Sequence, residues 1–109
     1  MNKNIIEIIL NDINYSKTNK NKDLIKNILN ENDKLAEIWD KIPTLIKNIN
    51  HTTGFISISN KKNMIKISYK KDKVSEKIKE EFHSIVNNWS KKYKIDLDYD
   101  CKSDQYYIK

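Results

Sequence analysis

Phe55-Ile56-Ser57-Ile58-Ser59 and Ile65-Lys66-Ile67-Ser68-Tyr69-Lys70 both alternate apolar and polar residues, with Asn60-Lys61-Lys62-Asn63 between them. Alternation of period two sends successive side chains to opposite faces of an extended chain, and a polar Asn/Lys break reverses its direction. Residues 55–70 therefore predict a β-hairpin. Its apolar face holds Ile56, Ile58, Ile65, Ile67 and Tyr69, and its polar face holds Ser57, Ser59, Lys66, Ser68 and Lys70. A hairpin alone is marginal in water, so the apolar face demands further strands beside it and helices over it.

Downstream of the hairpin the period changes. Val74, Ile78, Phe82, Ile85, Val86, Trp89 and Tyr93 form one stripe of a helix. Asp72 is the expected cap, and Tyr93 the approximate end. Glu76, Glu80 and Glu81 early in the helix, with Lys91 and Lys92 at its end, suit the helix dipole. Ile95-Asp96-Leu97-Asp98-Tyr99-Asp100 alternates again, Cys101–Asp104 reads as a turn, and Gln105–Lys109 as a last strand.

Upstream the chain reads helical. Asn2 or Asn4 is positioned to cap a helix to about Tyr15, with Ile5, Ile6, Ile9, Leu10 and Ile13 inward; a strand over Ile5–Leu10 is the competing assignment. Ser16–Lys22 reads as a polar loop, and Asp23–Asn30 as a short helix with Leu24, Ile25, Ile28 and Leu29 inward. Asp33 is the expected cap of a third helix bearing Leu35, Ile38, Trp39, Ile42, Leu45, Ile46 and Ile49. Pro43 should kink or split that helix.

The expected fold is one α+β domain over residues 1–109 in the order ααα-ββ-α-ββ. A small, mostly antiparallel sheet would have helices on one face, with Ile95, Leu97, Tyr99, Tyr106 and Ile108 extending the apolar side. The other face would add Asp96, Asp98, Asp100 and Tyr107. An alternative takes the N-terminal part as winged helix-turn-helix-like, with the hairpin as wing. Against it, residues 33–50 have no net charge and contain Pro43 where a reading helix must be continuous.

Composition narrows the chemistry. The 109 residues include 21 lysines, 19 isoleucines and 15 asparagines, and no arginine. The joint excess is what an A+T-rich genome produces. The missing guanidinium removes bidentate contacts to carboxylate, phosphate or guanine. A single glycine excludes a dinucleotide-binding fingerprint and a phosphate-binding P-loop, and the absence of a Cys/His cluster excludes structural zinc. One cysteine, Cys101, allows no internal disulfide and points to a reducing, cytoplasmic setting. The apolar run at residues 5–10 is short and interrupted by Glu7, which fits neither a signal segment nor a membrane span. The sequons at Asn14, Asn50 and Asn88 are chance in so asparagine-rich a chain.

Asp96-x-Asp98-x-Asp100 opens like a calcium loop but has Cys101 where glycine is needed and Tyr107 where glutamate is needed. The expectation is a solvated strand face whose aspartates pair with Lys66 and Lys70, with a cation patch as the lesser reading. His51 and His83 read as surface residues without a Cys, Ser or Asp partner at a recognisable spacing. No cofactor and no small-molecule substrate is indicated.

Charge is unevenly placed. Residues 54–94 carry eleven lysines against four acids, residues 1–53 eight against seven, and residues 95–109 two against four. The candidate binding residues are Lys61 and Lys62 at the hairpin tip, Lys66 and Lys70 on one strand face, Lys71 and Lys73 after it, and Lys91 and Lys92 at the end of the long helix. Such a chain fits a non-enzymatic binding module. It resembles in size and composition the small regulators or inhibitors carried by phages and mobile elements, acting on a protein or nucleoprotein partner. The alternative is direct nucleic-acid binding through the Lys-rich 54–94 region.

Overall fold

The computed structural model describes residues 3–59 and 61–109. Among the described residues five α-helices and four strands follow in the order α1 (Lys3–Asp12), α2 (Asn19–Glu31), α3 (Lys34–Ile38), α4 (Ile42–Ile49), β1 (Gly54–Ile58), β2 (Ile65–Tyr69), α5 (Glu76–Tyr93), β3 (Leu97–Asp100) and β4 (Gln105–Ile108). The mixed α+β class, the helical N-terminal half and the hairpin all match the sequence reading. The sheet is wholly antiparallel, in the order β1-β2-β4-β3.

Helix boundaries moved where local capping decided them. In α1, Ile9 and Leu10 are buried and the competing strand does not form. The helix ends earlier than expected because Asn14 takes a left-handed conformation (φ 63°) and the Tyr15 amide donates to the Leu10 carbonyl at 2.8 Å, a Schellman closure. A cap at Asn2 falls outside the described residues. Helix α2 begins four residues before the expected start because the Thr18 hydroxyl accepts from the Asn21 amide at 3.1 Å. Residues 19–22, expected to be loop, are therefore helical.

The third helix splits at Pro43. A 3₁₀ turn, Trp39–Lys41, separates α3 from α4, and the proline lies in the first turn of α4, where it forfeits no hydrogen bond. Asp33 precedes α3 but makes no side-chain cap. Asp72 is not the cap of α5 either: it sits in a 3₁₀ turn, Lys71–Lys73, and Ser75 caps instead, its hydroxyl accepting from the Ile78 amide at 3.3 Å. At the other end Lys94 is left-handed (φ 55°) and the Ile95 amide closes on the Ser90 carbonyl at 2.9 Å.

One core joins all the helices to one sheet face. Phe82, Val86 and Trp89 of α5 pack with Ile56, Ile65, Ile67 and Ile108 of the sheet and with Leu45 and Ile49 of α4. Each such side chain contributes about 1.5–3 kcal/mol of burial. Two indoles also tie elements together: Trp39 donates to Asp12 at 2.8 Å and Trp89 to the Lys41 carbonyl at 3.0 Å. The hairpin is thus built into a four-stranded sheet and is no free wing, since β2 pairs with β4 along Lys66↔Tyr107 and Ile67↔Tyr106.

Candidate functional site

The second sheet face departs from a plain solvated surface. Register places Ser57, Lys66, Tyr107 and Asp98 in one row across the four strands. Tyr107, Ser59 and Ser68, expected to be solvent-facing, are buried. Lysine side chains lie against Tyr107 and Ser68. The Lys62 ammonium lies 4.5 Å from the centre of the Tyr107 ring, a cation–π contact. Lys71 folds back over the end of β2, 4.7 Å from the Tyr69 ring, and donates to the Ser68 hydroxyl at 3.0 Å. Burial lowers the Lys71 ammonium from its ordinary value; Asp104 pulls the other way and Lys66 reinforces the lowering.

Between the hairpin turn and β4 is a cleft of about 200 Å³ lined by Ser59, Lys61, Lys62, Lys66, Asp100, Ser103, Gln105 and Tyr107. Across the turn lies a second, of about 490 Å³, where Lys20, Asn21 and Tyr15 join Lys61 and Lys62. The turn is braced from within: the Lys61 and Lys62 amides both donate to the Ser59 hydroxyl at 3.2 Å, and Asn63 donates to Glu31 of α2 at 3.1 Å. Lys61, Lys62 and Lys66 make no ion pair among the described residues.

The eight candidate lysines do not form one patch. Lys61, Lys62 and Lys66 share the cleft, and Lys71 lies further along the same sheet. Lys70 and Lys73 are exposed beyond the end of β2. Lys91 and Lys92 belong to the helical layer, where Lys92 stands over Tyr93 and lines an α4–α5 groove with His51 and Trp89. Nor do the strand aspartates pair with Lys66 and Lys70: β4 intervenes, so Lys66 and Asp98 are two strands apart, about 9.6 Å at ordinary strand spacing. Asp96 falls just before β3, and among the described residues no group of three His, Cys, Asp or Glu is arranged to hold a metal ion.

A second cluster escaped the sequence reading. Asp104, left-handed at φ 54°, sits in the β3–β4 turn with its carboxylate at the meeting point of α5, β2 and β3. His83 Nε2 lies 3.0 Å from Oδ1, Tyr69 donates to Oδ2, Tyr99 donates to Oδ1 at 2.5 Å, and Lys79 is 3.7 Å from Oδ2. With hydrogen on the His83 nitrogen that faces the carboxylate, Nδ1 accepts from the Tyr106 hydroxyl at 2.6 Å, and Asn87 donates to Tyr106 in turn.

Burial works to raise the Asp104 carboxyl, but hydrogen bonds from Tyr69, Tyr99 and His83 outweigh it and hold it at about 2. The same hydrogen bond, with burial and the carboxylate charge, pushes Tyr99 up to about 12; burial first and then Asp104 drive Tyr69 higher still. Both ring nitrogens of His83 are engaged within the protein, Nε2 by Asp104 and Nδ1 by Tyr106. The cluster fastens the β3–β4 turn to α5. Only the concentration of tyrosines in the strands hinted at it, because His83 and Asp104 are 21 residues apart.

No protein-family model, curated protein or solved structure matches this chain.

Proposed function

We propose that this chain is a non-enzymatic binding module, a small regulator or inhibitor, that engages a protein or nucleoprotein partner through the lysine-covered sheet face and the hairpin turn. The observation that supports this is the gathering of Lys61, Lys62 and Lys66 around one cleft without ion-pair partners among the described residues. Cations without salt-bridge partners on a strand and a braced turn are available to an acidic surface without first breaking an ion pair. An exposed free thiol at Cys101 fits a reducing, cytoplasmic setting.

The face suits a folded partner better than a bare nucleic-acid strand. Single-strand binders offer open aromatic rings on which bases stack. Here Tyr107 is buried beneath Lys62, leaving Phe55 as the exposed aromatic side chain of this face. Direct nucleic-acid binding through residues 54–94 stays the alternative, carried by the same lysines as phosphate contacts.

Affinity capture from host lysate, with and without nuclease, separates the two. The proposal expects a stoichiometric partner that survives nuclease and is lost with Lys62→Glu/Lys66→Glu. Retention that disappears with nuclease, together with steeply salt-dependent binding to purified DNA or RNA, establishes the alternative. Capture unaffected by the double substitution removes this face from either reading.

A further inference from the structure

We propose that the cleft between the hairpin turn and β4 is a seat for a single phosphomonoester group. This deepens the function proposed above and rests on it, because it names the chemical group that the partner presents to this face. Three lysines, Lys61, Lys62 and Lys66, line the cleft against one acidic residue, Asp100. A phosphomonoester near neutral pH carries ≈ −1.5 to −2 charge and three acceptor oxygens, which matches that surplus.

Two hydroxyls complete the set. Ser59 is 92% buried (8% exposed), and its oxygen already accepts two backbone amides, so its own hydrogen is left to donate. The Tyr107 hydroxyl accepts from Gln105 at 2.9 Å and is likewise left with a donor. Buried hydroxyls that already accept hydrogen bonds and keep an unassigned hydrogen are suited to donate to an anionic oxygen. They sit on a strand and a braced turn, so their geometry is set before a ligand arrives.

Charge selects the monoester. The cleft of about 200 Å³ has room for a tetrahedral phosphoryl group, and its surplus of two positive charges matches a monoester rather than a diester. A phosphodiester has one charge and two ester arms, and would have to run through the cleft. Asp100 bounds one side, its carboxylate held by the Lys102 amide at 3.0 Å. Its charge opposes the ligand, so the site is tuned for moderate affinity, and Asp100→Asn should tighten binding several-fold.

The test is an amide NMR titration of the full chain with inorganic phosphate, at ionic strength kept constant with chloride. The expected result is saturable shifts confined to the neighbourhood of Ser59–Lys66 and Asp100–Tyr107. Lys66→Ala and Lys62→Ala should each weaken binding roughly tenfold or more, the loss of a charge-assisted contact. Lys91→Ala/Lys92→Ala removes as many charges elsewhere and should leave the affinity unchanged. The same spectra report whether each variant is folded.

Phenyl phosphate and a phosphoserine peptide should compete for the site, while the unphosphorylated peptide should not. Absence of saturable shifts overturns the inference, as does equal weakening by the Lys91/Lys92 variant. Preference for an oligonucleotide without a terminal phosphate assigns the cleft to diesters and overturns it too. If phosphate does not bind but Lys66-dependent capture of a nuclease-resistant partner persists, the seat is wrong and the binding-module reading stands. If phosphate binds and no partner is captured, the reverse holds.

Discussion

Asp104 receives hydrogen bonds or charge from Tyr69, Tyr99, His83 and Lys79, drawn from β2, β3 and α5. Its carboxyl is lowered from 3.8 to about 2 in the folded state. A carboxylate depressed on folding stabilises the protein above its unfolded value, and that contribution is lost as pH falls toward the folded one. Wild-type stability should therefore decline between about pH 4 and pH 2, and Asp104→Asn should flatten this limb, as read by urea unfolding across the pH series. Tyr99 provides the counterpart at high pH. Raised from 10.0 to about 12, it stabilises the fold below pH 10 and loses that contribution as pH rises through about 12. Phenolate absorbance should show Tyr99 titrating late in the wild type and nearer its ordinary value in Asp104→Asn. Gly54 is decided by space. A Cβ there would come within 2.6 Å of Ile49 Cβ and 2.9 Å of the Ile49 carbonyl oxygen, atoms of the fully buried end of α4. Gly54→Ala should cost about 1–3 kcal/mol, the range for overpacking a tight core, measurable as a lower urea midpoint at unchanged slope.

Elements were legible where side-chain periodicity decides them and blurred where a single hydrogen bond does. The alternation in 55–70 located both strands of the hairpin, and the stripe from Ile78 to Tyr93 located α5. Its start was misplaced because aspartate is a strong capping type, which favours Asp72, whereas Asp72 lies in a 3₁₀ turn and Ser75 has extended backbone (φ −78°, ψ 167°) with its hydroxyl on the Ile78 amide. Ser75→Ala should cost roughly 1 kcal/mol, and Asp72→Ala should stay within about 0.5 kcal/mol of wild type in thermal or urea unfolding. Equal effects would show that the cap lies elsewhere. The early start of α2 at Thr18 has the same cause. The Asp–Lys pairs expected across the sheet failed for a topological reason. Pairing was expected from a shared polar face, whereas β4 inserts between β2 and β3 and brings Tyr107, not Asp98, beside Lys66. Strand order is a property of the packed molecule, and alternation within single strands carries no record of it.

At the scale of the whole molecule, the surplus of lysine in residues 54–94 divides between two layers. Lys61, Lys62 and Lys66 meet on the open sheet face, while Lys91 and Lys92 lie on the helical layer beside Tyr93 and the α4–α5 groove. Contiguity in sequence had grouped them, and α5 separates them, carrying the chain from the sheet to the opposite end of the helix. A binder that wraps a polyanion would use both groups, and each charge removed would lower the salt dependence of affinity alike. A module that docks one face uses the first group alone. Lys62→Ala/Lys66→Ala and Lys91→Ala/Lys92→Ala remove the same charge, so net charge cannot account for a difference between them. Partner affinity measured by calorimetry over a salt series should fall at least tenfold for the first pair, with a shallower salt slope. For the second it should remain within about twofold, the shift that distant surface charge produces when screened over roughly 10 Å. Equal losses in the two variants would instead mean that the partner spans both layers, as an extended polyanion does and a docked protein face does not.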